Sequence, residues 1–313
     1  MTSGLLANRS GYNTRTLLAC HANGMTHDSP GLHELLDSWL IRLRAERKSP
    51  STIKAYRAAV EHYLRWGNQH LDKPTVLAWL ASMAENEPAT ARLRLAAVKR
   101  FAAWLAAEDY LNADAILLIR SPKLSDKAIP GLSGDEIQRL LKACNGRDWR
   151  AKRDKAMVVL LTETGMRASE LLALETDDID LAGCSLVVHK SKSGRARSVR
   201  FSPSAAAAID RYRRGIPGLS GPLWLGTRGR LQYPGLRHSL GARARQAGVA
   251  GFHIHRLRHT AAIRWLDAGG TETGLMAQAG WQSREMIDRY SRASRETLAA
   301  KEFDRLGLQV DLD

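Results

Sequence analysis

Between Phe252 and Tyr290 the chain reads FHIHRLRHTAAIRWLDAGGTETGLMAQAGWQSREMIDRY, a stretch whose residue types suit work on a phosphate ester. His255, Arg258 and His259 crowd its start, and Trp281 and Tyr290 lie toward its end. Arginine grips phosphate oxygens with a planar fork, histidine moves protons near neutral pH, and tyrosine can act as a covalent nucleophile. On a helix, positions 255, 258 and 259 share one face through i, i+3 and i+4 spacing. The 255/259 spacing also suits zinc. However, no Glu occupies 256, no acidic third ligand is evident, and the intervening arginine would repel a metal, so no metal or other cofactor is expected.

Two further pieces carry similar chemistry. In Thr164-Gly-Met-Arg-Ala-Ser-Glu-Leu171, Arg167 follows a glycine break and opens a helix, where backbone amides help aim its guanidinium at an anion. A plain salt bridge to Glu170 is the structural alternative. In His189-Lys-Ser-Lys-Ser-Gly-Arg195, a basic turn between two strands can deliver a lysine into a groove. Lys190 and Lys192 are two apart and point to one side of a strand, so alternation does not choose between them.

These pieces need a scaffold, and the periodicity supplies one. Residues 1–29 show no period and read as a flexible tail. Residues 30–118 read as a four- or five-helix domain: Leu32, Leu35, Leu36, Trp39, Leu40 and Leu43 form one apolar stripe, and Leu93, Ala97, Phe101, Trp104 and Leu105 another. Its basic positions, Lys54, Arg57, Arg92, Lys99 and Arg100, are candidates for phosphate contact. Residues 119–132, with two prolines and a glycine, read as a linker. Ser133 then caps the first helix of a second domain, 133–313. Within it, helices are expected over 150–162, 168–174, 203–214, 235–247, 256–268 and 274–279, with a hairpin of strands 184–189 and 197–201. The class is mainly α with a small antiparallel sheet.

Composition narrows the partner. Lys and Arg number 47 against 32 Asp and Glu, a net charge of +15, which points to a polyanion such as nucleic acid. No run of about 18 apolar residues appears, so no membrane partner is expected. Cys20, Cys144 and Cys184 are odd in number and far apart, which fits incidental thiols in a reducing cytoplasm better than a disulfide framework.

Taken together, TGMRASELLAL, HRLRHT and GWQSREMIDRY, in that order, resemble the two arginine boxes and the tyrosine box of the tyrosine recombinases, the phage integrase family. The resemblance covers residues 153–291, and residues 30–118 look like the family's core-binding domain. It implies a C-shaped DNA clamp of a helical core-binding domain and a catalytic domain. It also implies site-specific recombination of duplex DNA at a short core site, with a dimer on each site and a tetramer in synapsis, passing through a 3′-phosphotyrosine link and a Holliday junction. The implied roles are Tyr290 as nucleophile, Arg167 and Arg258 on the non-bridging oxygens, His255 as general base and Lys192 as general acid, with Glu170 and His259 in support. Arg195 and Arg197 on the hairpin join the DNA-binding candidates. Trp281 stands where most members have His, and Arg200 where a Pro is usual. The segment after Tyr290, with Leu298, Phe303 and Leu306, is expected to dock on a neighbouring protomer. Integration or excision of a mobile element is the expected role. Xer-like dimer resolution, a type IB-like topoisomerase and a non-catalytic DNA-binding protein are the alternatives.

Overall fold

A computed structural model describes residues 30–67, 70–85, 87–123, 130–189, 196–281, 283, 287 and 295–307. The chain divides into two compact units, residues 1–125 and 126–313.

The first unit is helical: α1 (Leu32–Ala45), α2 (Pro50–Trp66), α3 (Lys73–Ala81), α4 (Pro88–Ala107) and the short α5 (Asp114–Leu117). The Ser49 hydroxyl accepts from the Thr52 amide, and the Asp72 carboxylate from the Thr75 amide. Each starts a helix whose first turn carries a proline. The stripes predicted from periodicity meet in the core, where the Trp39 ring lies 5.3 Å from Phe101 and 5.9 Å from Tyr56. Tyr63 meets Trp79 edge-on at 5.1 Å. Aromatic rings here fill volume rather than form an open stacking face.

The basic positions divide. Lys54, Arg92 and Arg100 are exposed. Lys99, expected to face DNA, instead folds inward and donates to the carbonyls of Leu117, at 2.6 Å, and Ile119. It satisfies carbonyls at and just beyond the end of α5, and burial holds its pKa below the usual lysine value. Arg57 pairs with Asp37 at 3.0 Å.

In the second unit, α6 (Gly134–Ala143) opens with a capping box between Ser133 and Glu136. The central helix α7 (Trp149–Thr164) buries Ala156, Met157, Val158, Leu160 and Leu161. After α8 (Ala168–Ala173) come β1 (Ile179–Asp180), β2 (Ser185–Val188) and β3 (Arg197–Arg200), an antiparallel sheet in the order β1-β2-β3. Its inward residues Leu186 and Val199 are cross-strand partners. Then follow α9 (Pro203–Arg214), a second hairpin of β4 (Leu225–Gly226) and β5 (Gly229–Arg230), α10 (Tyr233–Gln246), α11 (Ile254–Asp267), α12 (Glu272–Ala279) and α13 (Arg295–Leu306). The fold is mainly helical with small antiparallel sheets. The strands β1, β4 and β5 have two residues each, too short for alternation to mark them, and exist through pairing alone.

One buried ion network ties this unit together. Asp154, 1% exposed, accepts from the Arg153 Nη2 (2.7 Å), the Ser239 hydroxyl (2.7 Å) and the Arg243 Nε (3.1 Å). Arg153 also donates to the Leu225 carbonyl at 2.7 Å, and Arg243 to that of Ala143 at 3.1 Å. Helices α6, α7 and α10 and strand β4 thus meet on one carboxylate. Removing it leaves a buried guanidinium uncompensated. Asp154→Ala is therefore expected to cost about 3–5 kcal/mol, read as a lower urea midpoint for the second unit.

Candidate active site

The site is built on helix ends. Helix α7 stops at Gly165, whose φ of 61° is left-handed, and a Cβ there would come within 3.2 Å of the Ala261 methyl on α11. Glycine therefore both ends the helix and lets α11 approach. Arg258, on α11 and 3% exposed, donates through Nη1 to the Gly165 carbonyl and, at 2.8 Å, to that of Ala279 at the end of α12. Its guanidinium carbon also lies 5.1 Å from the centre of the buried Trp281 ring, a cation–π contact. Trp281 is thus a wall for Arg258.

Arg167 stands at the N-cap of α8. Its amide donates to Glu170 Oε2 and its Nη1 to Glu170 Oε1, both at 2.9 Å. The salt bridge weighed as an alternative is therefore present, and it holds the guanidinium at the mouth of the helix. Glu170, 2% exposed, takes a second fork from Arg197 Nη1 (3.0 Å) and Nη2 (2.7 Å). Burial pushes the Glu170 pKa up, but the Arg197 hydrogen bonds and the Arg167 amide outweigh it and hold the carboxyl below its usual range. Arg197, a DNA-contact candidate from the sequence, is drawn inward by this buried carboxylate, and its side chain is only 13% exposed. Gly280, at φ 66°, makes room: a Cβ there would sit 2.6 Å from the Arg197 Cζ.

Three imidazoles cluster at the start of α11. The His255 ring meets that of His259 edge-on at 4.5 Å, and His253, at the N-cap, meets His259 at 6.4 Å. His259 is 2% exposed, and burial first, then His255, His253 and nearby arginines, push its pKa down to about 3. His255 keeps solvent access, yet desolvation by the surrounding protein, then Arg258, His253 and Arg167, lower its pKa from the usual value. A neutral His255 at pH 7 can accept a proton. Among the described residues no group of three His, Cys, Asp or Glu is placed to hold a metal ion.

Arg167, Glu170, His255, Arg258, His259 and Trp281 thus come together around the ends of α7, α12 and the first turn of α11. Lys190, Lys192, Arg195 and Tyr290 lie outside the described residues. One participant, His253, was missed in the sequence, and another, Arg197, was given a different partner. His253 sits one strand-like residue before the helix, off the i, i+4 pattern that marked its neighbours. The inward turn of Arg197 needed the knowledge that Glu170 is buried.

The imidazole cluster sets a pH dependence. A folded pKa of about 3 for His259, against 6.5 when unfolded, means that the unfolded chain takes up the proton first. Stability is therefore full above pH 6.5 and falls as the pH drops toward 3, by about 1.4 kcal/mol per unit. Glu170 adds to the loss only below its ordinary value of 4.5. Urea titrations of wild type should weaken between pH 6.5 and 4.5, and His259→Asn should flatten that limb. A flat wild-type profile would count against a buried neutral His259.

Comparison with known proteins identifies a family and a fold. The model described as "Phage integrase family" matches residues 131–297, and that of "Phage integrase, N-terminal SAM-like domain" matches residues 36–109. The tyrosine recombinase XerC of Roseiflexus castenholzii (strain DSM 13941 / HLO8) is 30% identical over 287 residues, covering 85% of this chain and 91% of the relative. Among solved structures, a lambda integrase dimer bound to a COC′ core site superposes with a TM-score of 0.69 at 19% identity, covering 91% of this chain and 81% of that one. A lambda integrase tetramer bound to a Holliday junction gives a TM-score of 0.67 at 19% identity, covering 82% and 78%. At these identities the structures speak for the fold.

Proposed function

This chain belongs to the phage integrase family and is a site-specific tyrosine recombinase, and from that premise we propose that it integrates or excises a mobile element by cutting and rejoining duplex DNA at a short core site. The observation that carries the mechanism is geometric: His255 and Arg258 stand three residues apart at the start of α11, and Arg258 bonds the Gly165 carbonyl, two residues before Arg167. One titratable base beside two guanidinium groups suits a phosphodiester held by its non-bridging oxygens.

The steps follow from the residues. A free tyrosine has a pKa near 10, so at pH 7 about one in a thousand is ionised, a deficit of roughly 4 kcal/mol. The Tyr290 hydroxyl attacks the scissile phosphorus while its proton passes to His255. Arg167 and Arg258 take the charge that grows on the non-bridging oxygens, and donors of this kind are each worth on the order of 10²–10³ in rate. The P–O5′ bond breaks and Lys192 protonates the departing 5′ oxygen. The 3′-phosphotyrosyl ester preserves the bond energy of the diester, so a 5′ hydroxyl from the partner duplex reverses the step without nucleotide hydrolysis. Two protomers on each site and four in synapsis would exchange strands through a Holliday junction. Lys54, Arg92 and Arg100, exposed in a chain of net charge +15, are the candidates for backbone phosphate contact in the first unit.

The XerC relative favours a second role, resolution of chromosome dimers by the same chemistry. Deletion of the gene separates the two: loss of excised circles from a resident element supports the first, and filamentous cells with undivided chromosomes the second.

The chemistry itself is tested with nicked suicide duplexes taken from the sequence flanking the gene. Wild type should form a covalent adduct that survives denaturing electrophoresis. Tyr290→Phe should form none while binding the same duplex, and Arg258→Ala should slow adduct formation about 10²–10³-fold. Tight, salt-sensitive binding without any adduct would instead mark a non-catalytic DNA-binding protein.

The C-terminal helix α13 supports assembly between protomers, since Phe303 and Leu306 are 48% and 52% exposed on it. A chain lacking residues 296–313 is expected to bind single sites but to lose the synaptic complex in gel-shift assays. Unchanged recombination by the truncated chain would remove this role.

A further inference from the structure

Gln278 lies in the last turn of α12 and meets the outer edge of β3. That strand pairs with β2 on one side only, so the backbone groups along its other side need partners. The Gln278 Oε1 accepts from the Arg200 amide at 3.2 Å, and its Nε2 donates to the Arg200 carbonyl at 2.5 Å. One side-chain amide thus satisfies both edge groups of one residue, as a further strand would.

The same turn of α12 touches both arginine holders. The Gln278 carbonyl accepts from Arg197 Nε at 3.4 Å, and the next carbonyl, of Ala279, accepts from Arg258 at 2.8 Å. Arg197 reaches on to Glu170, which in turn holds Arg167. Arg258 is therefore fixed by α12 directly, and Arg167 through two intermediate side chains. Both chains of contact begin within two residues of Gln278, at the C-terminal end of a helix where carbonyls favour cations.

We propose that Gln278 is a positioning residue for the phosphate-binding arginines: by locking the last turn of α12 to the edge of β3, it sets the distance between the Arg167 and Arg258 guanidinium groups. This rests on the reading that both hold the scissile phosphate. Gln278 touches no reacting atom. Its loss moves the two arginines relative to each other while leaving each one present.

The test uses the full-length chain and the nicked duplex recovered by covalent trapping, with sulfur placed in turn at each non-bridging oxygen of the scissile phosphate. The ratio of the two phosphorothioate rates reports how the oxygens are held and does not depend on the fraction of active protein. Gln278→Ala and the near-isosteric Gln278→Met are expected to bind DNA as wild type and to form adduct about 10- to 100-fold more slowly, the scale of an ångström-sized misplacement. They should also change the phosphorothioate ratio. Arg200→Pro, which removes the amide donor from the other side, should shift the ratio in the same direction. A slower rate with an unchanged ratio overturns the positioning role. Arg258→Ala is the control: if it too leaves the ratio unchanged, the arginine reading itself falls. Absence of an adduct from wild type on every duplex removes the strand-transfer chemistry, and this role with it.

Discussion

The structure of the second unit turns on one buried cation. Arg258 is 3% exposed, and a guanidinium so far from water is stable only where acceptors face it. Two helix ends supply them. Helices α7 and α12 both terminate at a left-handed glycine, Gly165 and Gly280, and the carbonyls of Gly165 and Ala279 turn onto Arg258. A helix C-terminus carries partial negative charge, so each end offers both an acceptor and a favourable field. The Trp281 ring adds its face to the same cation. The packing of α7, α11 and α12 is thus arranged by what one side chain requires.

A second buried charge answers the first. Glu170 is 2% exposed and sits between Arg167 and Arg197. Burial alone would neutralise it, yet the two forks keep it ionised, and an ionised Glu170 fixes Arg167 at the opening of α8. The cost of desolvating three charges is offset only because their geometry is bidentate or nearly so. Such a network confers position more than stability.

The imidazoles take the opposite sense. Desolvated first, and then crowded by neighbouring cations, His253, His255 and His259 are all pushed toward the neutral form. A cationic site that also protonated its histidines would have no base. The arginines that suit the site to an anion therefore also keep His255 able to accept a proton.

Arg167, His255, Arg258 and Trp281 could be singled out in the residues, because phosphate chemistry restricts the side chains that can perform it, and the fold brings these four together; Tyr290 lies outside the described residues. The long helices were legible too, since apolar side chains must recur every three or four positions to reach a core. A capping residue such as Ser133 marked where a helix begins, because the orphan amides are satisfied locally. The destinations of the long cations were not legible. Lys99 and Arg197 look like surface charges in a chain of net charge +15, and both turn inward. Their partners, the carbonyls of Leu117 and Ile119 and the carboxylate of Glu170, lie 18, 20 and 27 residues away. The two-residue strands and the bond from Gln278 to Arg200 are of the same kind. Local preference determined which residues form helices and which could do chemistry. Only the tertiary fold decided which charges serve the site and which hold it in place, because a flexible cationic side chain is committed by the acceptor it meets, and that acceptor is distant in the chain.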